Sequence, residues 1–405
     1  MNPQLYENVL ISDYHYNLSS DKIAKYPLSE RDESKLLIYR KGEISENIFL
    51  NLHKYIESGD LLVFNNTKVI NARVLFTKST GATIEILCLE PFIPSDFYLA
   101  FQQKNKCVWK CVVGNLKKWK NSSLSKKYIY NSKEYLFNAK LIENKNTFQL
   151  IEFSWDNELN FEEIIKIVGV IPLPPYIKRE TELLDNDRYQ TIYSKYSGSV
   201  AAPTAGLHFT EKVLNKIKSK DISKTELTLH VGAGTFKPVK TDNIAKHEMH
   251  SEHVLINKEL IQLIISNIDH IVAVGTTSMR ALESIYWLGV KIINYNEENE
   301  IFNINQWDAY NLQQDILLID SLKAVLSLFN IKKNEKIELN TKIMIIPGYK
   351  FRIVNKLITN FHQPRSTLLL LVSAFIGEDW RKVYDYALKN NFRFLSYGDC
   401  SILIR

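Results

Sequence analysis

Several stretches of this sequence carry side chains that can move protons or hold an anion. Gly198 to Thr210 reads Gly-Ser-Val-Ala-Ala-Pro-Thr-Ala-Gly-Leu-His-Phe-Thr and contains no acidic residue, lysine or arginine. Small residues such as Gly206 let a ligand approach the backbone, Pro203 stiffens the loop, and Thr204 and His208 supply polar groups. A histidine near its usual pKa of about 6.5 exchanges protons at neutral pH, so His208 is a candidate acid or base. Thr210 can cap a helix with Val213, Leu214 and Ile217 on one face, bringing an anion-favouring helix N-terminus to the loop. A tightly packed turn is the alternative.

Thr228 to Phe236 places His230, Gly232 and Gly234 at and just past a strand end, superficially like a nucleotide-binding loop. Phe236-Lys-Pro238 cannot open the helix which that motif requires, so an adenosine ligand would be held by another route. Gly275 to Glu283 sets Thr276, Thr277, Ser278 and Arg280 at a strand-to-helix corner suited to a carboxylate or ribose hydroxyls. Thr359 to Thr367 is a polar loop before an apolar helix, and Ser396-Tyr-Gly-Asp399 ends a strand. Both can equally be caps and turns, although Asp399 joins His208 and His230 as a candidate proton carrier. His247, His250 and His253 recur every three residues and would share adjoining helical positions able to bind zinc. A hydrogen-bonding cluster needs fewer coincidences, and no metal is expected.

The elements that must position these groups fall into two patterns. Strands and helices alternate in the outer parts: a helix-like start at 19–26, strands ending at Thr67 and covering 225–231 and 271–275, a helix after Ser278, and a strand near 343–346. Between them lie six short β-rich runs, at 69–77, 83–90, 97–102, 108–113, 135–142 and 148–155. A short helix at 161–168 and a proline-rich connector, 169–179, lead back. The fold class is therefore an α/β main domain, residues 1–66 and 167–405, with an inserted all-β barrel domain, residues 67–166. Residues 291–340 read as an extra polar segment with a helix at 317–329.

The 405 residues are 45% apolar and 24% charged, ordinary for a globular protein. The N-terminus lacks a signal-like pattern and the longest apolar run, 368–376, is too short to span a bilayer, so no membrane association and a cytoplasmic location are expected. Four scattered cysteines build neither a disulfide framework nor a four-cysteine zinc site. Residues 104–133 hold nine lysines and no acidic residue, against a net charge of +6 for the whole chain. Trp109, Trp119, Tyr128 and Tyr130 are interleaved with them, the mixture expected where phosphates are neutralised and bases stack, which nominates Lys117, Lys118 and Lys120 as RNA contacts. A solvated loop is the alternative.

Motifs spread through most of the chain resemble the S-adenosylmethionine:tRNA ribosyltransferase-isomerases of queuosine biosynthesis. They include Tyr26 to Arg31, Gly59 to Ala72, Pro172 to Ile177, Arg188 to Thr191, Gly198 to Thr210, Thr228 to Phe236, His247 to Glu252, Ala273 to Ser284, Pro347 to Tyr349, Leu357 to Gly377 and Arg393 to Asp399. The resemblance implies transfer of the ribosyl unit of S-adenosylmethionine to a 7-aminomethyl-7-deazaguanine at the tRNA wobble position. Epoxyqueuosine would form, with adenine and methionine released, and S-adenosylmethionine would be a consumed substrate rather than a cofactor. The partners are then tRNA and S-adenosylmethionine, and the expected state is a monomer. Residues 291–340, Gly81 to Glu85 and the chain end soon after Ile402 depart from the family's usual pattern. A methyltransferase acting on RNA, or a paralogue with another acceptor, is the alternative function.

Overall fold

The computed structural model describes residues 4–119, 123–232, 234, 239, 241–294, 302–332 and 335–405. Its early strands are β1 (Lys35–Arg40), β2 (Glu43–Ile48) and β3 (Leu61–Asn65). Next come β4 (Thr67–Val69), β5 (Arg73–Thr77), β6 (Thr83–Ile93), β7 (Lys106–Gly114), β8 (Leu124–Tyr130), β9 (Lys133–Asn144), β10 (Gln149–Trp155) and β11 (Gly169–Val170). The last are β12 (Tyr196–Ser199), β13 (Ser223–His230), β14 (Glu252–Asn257), β15 (Ile271–Val274), β16 (Asn303–Ile304), β17 (Lys336–Thr341), β18 (Lys356–Asn360) and β19 (Cys400–Ile404).

Ten strands form one mixed sheet in the order β16-β17-β14-β13-β3-β15-β18-β19-β1-β2. At its centre β13, β3, β15 and β18 run parallel, with Leu61 of β3 aligned between Ser223 and Ile271. Every residue of β3, β15 and β18 is buried, as parallel strands covered on both faces require. Helices Thr276–Asn294 and Leu318–Lys332 pack together on this sheet, and Gly289 permits their approach. A Cβ there would lie 2.2 Å from Ser321. Buried Glu283 anchors the same helix to the segment before β18, accepting from the amides of Arg352, Ile353 and Val354 and from the Tyr349 hydroxyl. Its pKa is raised by burial, which those hydrogen bonds oppose.

The β-rich middle of the chain supplies a second, curled antiparallel sheet, β11-β5-β6-β7-β10-β9-β8, over its own apolar core including Trp109, Phe137 and Phe153. The fold is thus mixed α/β with a separate antiparallel sheet curled into a half-barrel, whose ladder among the described residues begins at β11 and ends at β8. Residues 97–102 form a helix, not a strand, because Asp96 caps the Leu99 amide and an aromatic-rich sequence buries one helical face. The strand β8 escapes recognition from sequence since Ser125, Lys126 and Lys127 interrupt its apolar pattern. Of the helix expected at 19–26 only a turn at Ser20–Lys22 forms. The expected strand at 343–346 is buried but joins no ladder among the described residues, and the ladder strand is β17. Among the described residues no helix is long and apolar enough to cross a membrane.

Candidate active site

The parallel strands β13, β15 and β18 end at the same edge of the sheet, and the turns that follow them line a cleft. Carboxyl ends of parallel strands are where α/β sheets bind ligands. Thr204 comes from the small-residue loop, Thr276 and Thr277 from the first turn after β15, and Asn360 and His362 from the end of β18; Tyr176 and Ser396 close the wall. Gly275 makes the turn with φ 92°, a conformation that favours glycine. The amides of the helix's first turn have no intrahelical partner, so the helix Thr276–Asn294 presents its positive end here. The helix Glu211–Lys218 is capped by Thr210 as expected, the hydroxyl donating to Asp32 and accepting from the Val213 amide, but no residue of that helix lines the cleft.

His208 lies buried behind the cleft. Asn360 Nδ2 donates to the carbonyls of Leu395 and Asp399, which fixes the amide's orientation, and it also meets His208 Nε2 at 3.1 Å. Nε2 therefore accepts, and Nδ1–H donates to Ser34 Oγ at 2.8 Å. Burial pushes the His208 pKa down to about 3, and the nearby Arg393 and Arg31 charges push the same way. Asn360 Oδ1, by contrast, is buried with no hydrogen-bond partner among the described residues.

His362, which its sequence context alone does not single out within the polar loop 359–367, lines the cleft itself. Its Nε2 is 2.9 Å from Thr359 Oγ1, its amide donates to the Tyr384 hydroxyl, and burial lowers its pKa to about 3. Tyr176 and Ser396 are joined by a hydroxyl hydrogen bond of 2.6 Å, with burial pushing the tyrosine up to about 12. The signal for His362 is a polar loop opening an apolar helix, which caps alone would also produce, and Ser396 stands at a strand end that reads equally as a turn.

The other candidates fall elsewhere. Strand alternation turns His230 away from the cleft that Val231 lines; its Nδ1 meets Thr67 Oγ1 at 2.9 Å, its ring packs on Phe97, and burial drops its pKa to about 3. Asp399 is buried in a turn, accepting from the amides of Lys35 and Arg393 and from the Arg393 guanidinium. Gly206 packs against Tyr193, where a Cβ would lie 1.9 Å from the hydroxyl. Gly232 and Gly234 sit beside His250 rather than among the cleft's lining. Arg280 is held by Glu252 and the Ile343 carbonyl.

His247, His250 and His253 do not share a helix. The last lies on β14 near Glu338 while His250 faces Glu252, and among the described residues no group of three or more metal-ligating side chains converges. Lys117 and Lys118 are exposed on a turn, and Lys120 lies outside the described residues. Trp109, Trp119 and Tyr128 are core residues, so their interleaving with lysine reflects in-out alternation along strands rather than a stacking surface.

Fold and cleft together define an α/β protein with a cleft at its parallel strand ends and a separate β sheet. The chain belongs to the family described as queuosine biosynthesis protein, whose model matches residues 11–403. It is 37% identical over 401 residues to an S-adenosylmethionine:tRNA ribosyltransferase-isomerase of Sulfurihydrogenibium sp. (strain YO3AOP1), covering 97% of this chain and 99% of that one. A protein of the same name from Buchnera aphidicola subsp. Schizaphis graminum (strain Sg) is 38% identical over 395 residues, covering 96% and 95%. The solved S-adenosylmethionine tRNA ribosyltransferase of Thermotoga maritima is 26% identical, covers 97% of this chain and 100% of that one, and superposes with a TM-score of 0.46.

Proposed function

We propose that this chain is an S-adenosylmethionine:tRNA ribosyltransferase-isomerase, passing the ribosyl unit to 7-aminomethyl-7-deazaguanine in tRNA and releasing adenine and methionine. Near-full-length similarity to two proteins of that name carries the reading. The cleft supports it: hydroxyl, amide and imidazole groups converge there among small apolar residues at the carboxyl ends of parallel strands. No Asp or Glu is among the described residues lining it. A bound sulfonium would keep its full charge there, and that charge acidifies the adjacent C–H which the reaction must deprotonate.

In this reading Thr204, Thr276 and Thr277 orient the ribose hydroxyls or the methionine carboxylate at the helix N-terminus. Asn360 Oδ1 accepts a hydrogen bond from the adenosine, held in place by the chain Ser34–His208–Asn360, so His208 acts through Asn360. His362 is the neutral imidazole that faces substrate, placed to hydrogen-bond it or to accept its proton as a base. His230 and Asp399 stabilise the surrounding turns, and Arg280 braces the helix. Residues 67–166 act as a unit inserted between 1–66 and 167–405, presenting Lys117 and Lys118 to RNA. The protein works in the cytoplasm as a monomer and needs no cofactor. Incubation with S-adenosylmethionine and precursor-bearing tRNA tests the reading: adenine release supports it, and S-adenosylhomocysteine in its place overturns it.

A further inference from the structure

Beside the cleft, and sharing Ser396 with it, lies a smaller notch lined by Arg31, Arg188 and Arg393. These arginines are far apart in the sequence but converge in the fold. Arg31 donates to the carbonyls of Gln190 and Asp187, and Arg188 to those of Leu28 and Ser29. Neutral carbonyls thus hold both guanidinium planes without cancelling their charge. Among the described residues neither arginine makes an ion pair, whereas Arg393 is shared with Asp399. Arg188 Nε is buried with no acceptor. Burial and then the nearby Arg188 charge lower the Arg31 pKa, with Tyr397 and Asp187 opposing more weakly. Like charges gathered in a half-buried notch, one with a spare donor, are stabilised when an anion enters between them.

We infer that this notch binds a phosphodiester oxygen of the RNA strand flanking the base that enters the cleft, an inference resting on the function proposed above. A base modified inside a pocket must leave its stack, and its own phosphates then lie at the pocket's mouth. The notch adjoins the cleft through Ser396, within reach of a strand whose base enters it. The methionine carboxylate has its own candidate site at the first turn of the helix Thr276–Asn294, which leaves the arginines to the RNA.

The test uses the whole protein and a fluorescent anticodon stem-loop RNA, with anisotropy read between 50 and 200 mM KCl and S-adenosylmethionine binding measured by calorimetry. Arg31→Gln and Arg188→Gln should each weaken hairpin binding roughly tenfold and reduce the salt slope by about one, leaving S-adenosylmethionine affinity unchanged. Unchanged hairpin affinity and slope would overturn the inference; so would a loss confined to S-adenosylmethionine, which would assign the notch to its carboxylate. Wild-type protein supplies a second arm that does not depend on variants folding. Inorganic phosphate should displace the hairpin more strongly than chloride at equal ionic strength, and equal displacement would overturn the assignment. Adenine release is scored separately: notch-dependent hairpin binding without it would refute ribosyl transfer while leaving the notch assignment standing.

Discussion

Lowering the pH from 7 to 5 should destabilise this protein far more than its carboxylates would account for. His208, His230 and His362 are each buried, and burial sets each folded-state pKa at about 3. In the unfolded chain the same imidazoles titrate near 6.5, so between about 6.5 and 3 the unfolded state binds more protons and stability falls as pH falls. At about 1.4 kcal/mol per proton per pH unit, each histidine removes roughly 1.9 kcal/mol from pH 7 to pH 5, or about 6 kcal/mol for the three. Set against a usual total of roughly 5–15 kcal/mol, this loss should unfold much of the protein near pH 5. Urea unfolding at pH 7, 6 and 5 measures it, and His230→Asn should shrink the pH dependence by about a third. A loss below about 2 kcal/mol over that interval, one histidine's share, would show that the imidazoles protonate within the folded protein and would refute the reasoning.

Three further outcomes follow from particular contacts. Asn360→Leu removes the unpartnered amide oxygen and the donor to His208, and should weaken S-adenosylmethionine binding roughly tenfold or more in calorimetry, while circular dichroism reports a retained fold. Gly206→Ala should destabilise by about 1–3 kcal/mol because its Cβ would lie 1.9 Å from the Tyr193 hydroxyl; an unchanged melting temperature would contradict that packing. The double substitution Lys117→Glu with Lys118→Glu should weaken tRNA binding and flatten its salt dependence without touching S-adenosylmethionine binding, and equal tRNA affinity at low salt would return those lysines to solvent.

Local chemistry made part of the site legible in the sequence. Gly275-Thr-Thr announces a strand-to-helix corner because glycine permits the turn and the hydroxyls suit a helix start, and Thr276 and Thr277 do line the cleft. Thr204 follows from the same logic. What sequence could not supply was direction and occupancy. His208 and Asp399 are chemically able groups whose lone pairs are already engaged by Asn360, Lys35 and Arg393, residues distant in the chain. His230 differs from Val231 by one position, and the two-residue period of a strand decides which faces the cleft. His362 sits in a loop whose composition is equally that of a cap. In the fold, the aromatic run at 97–102 mimics a strand until the Asp96 cap is weighed. The basic notch depends on Arg31, Arg188 and Arg393 meeting across three separate segments, which no local pattern encodes.

Ribosyl transfer is tested most directly with S-adenosylmethionine labelled either in the ribose or in the methyl group, incubated with protein and precursor-bearing tRNA. The ribose label should appear in the tRNA in step with free adenine, and the methyl label should leave with methionine. Methyl label in the tRNA, with the ribose label retained in S-adenosylhomocysteine, would contradict the account.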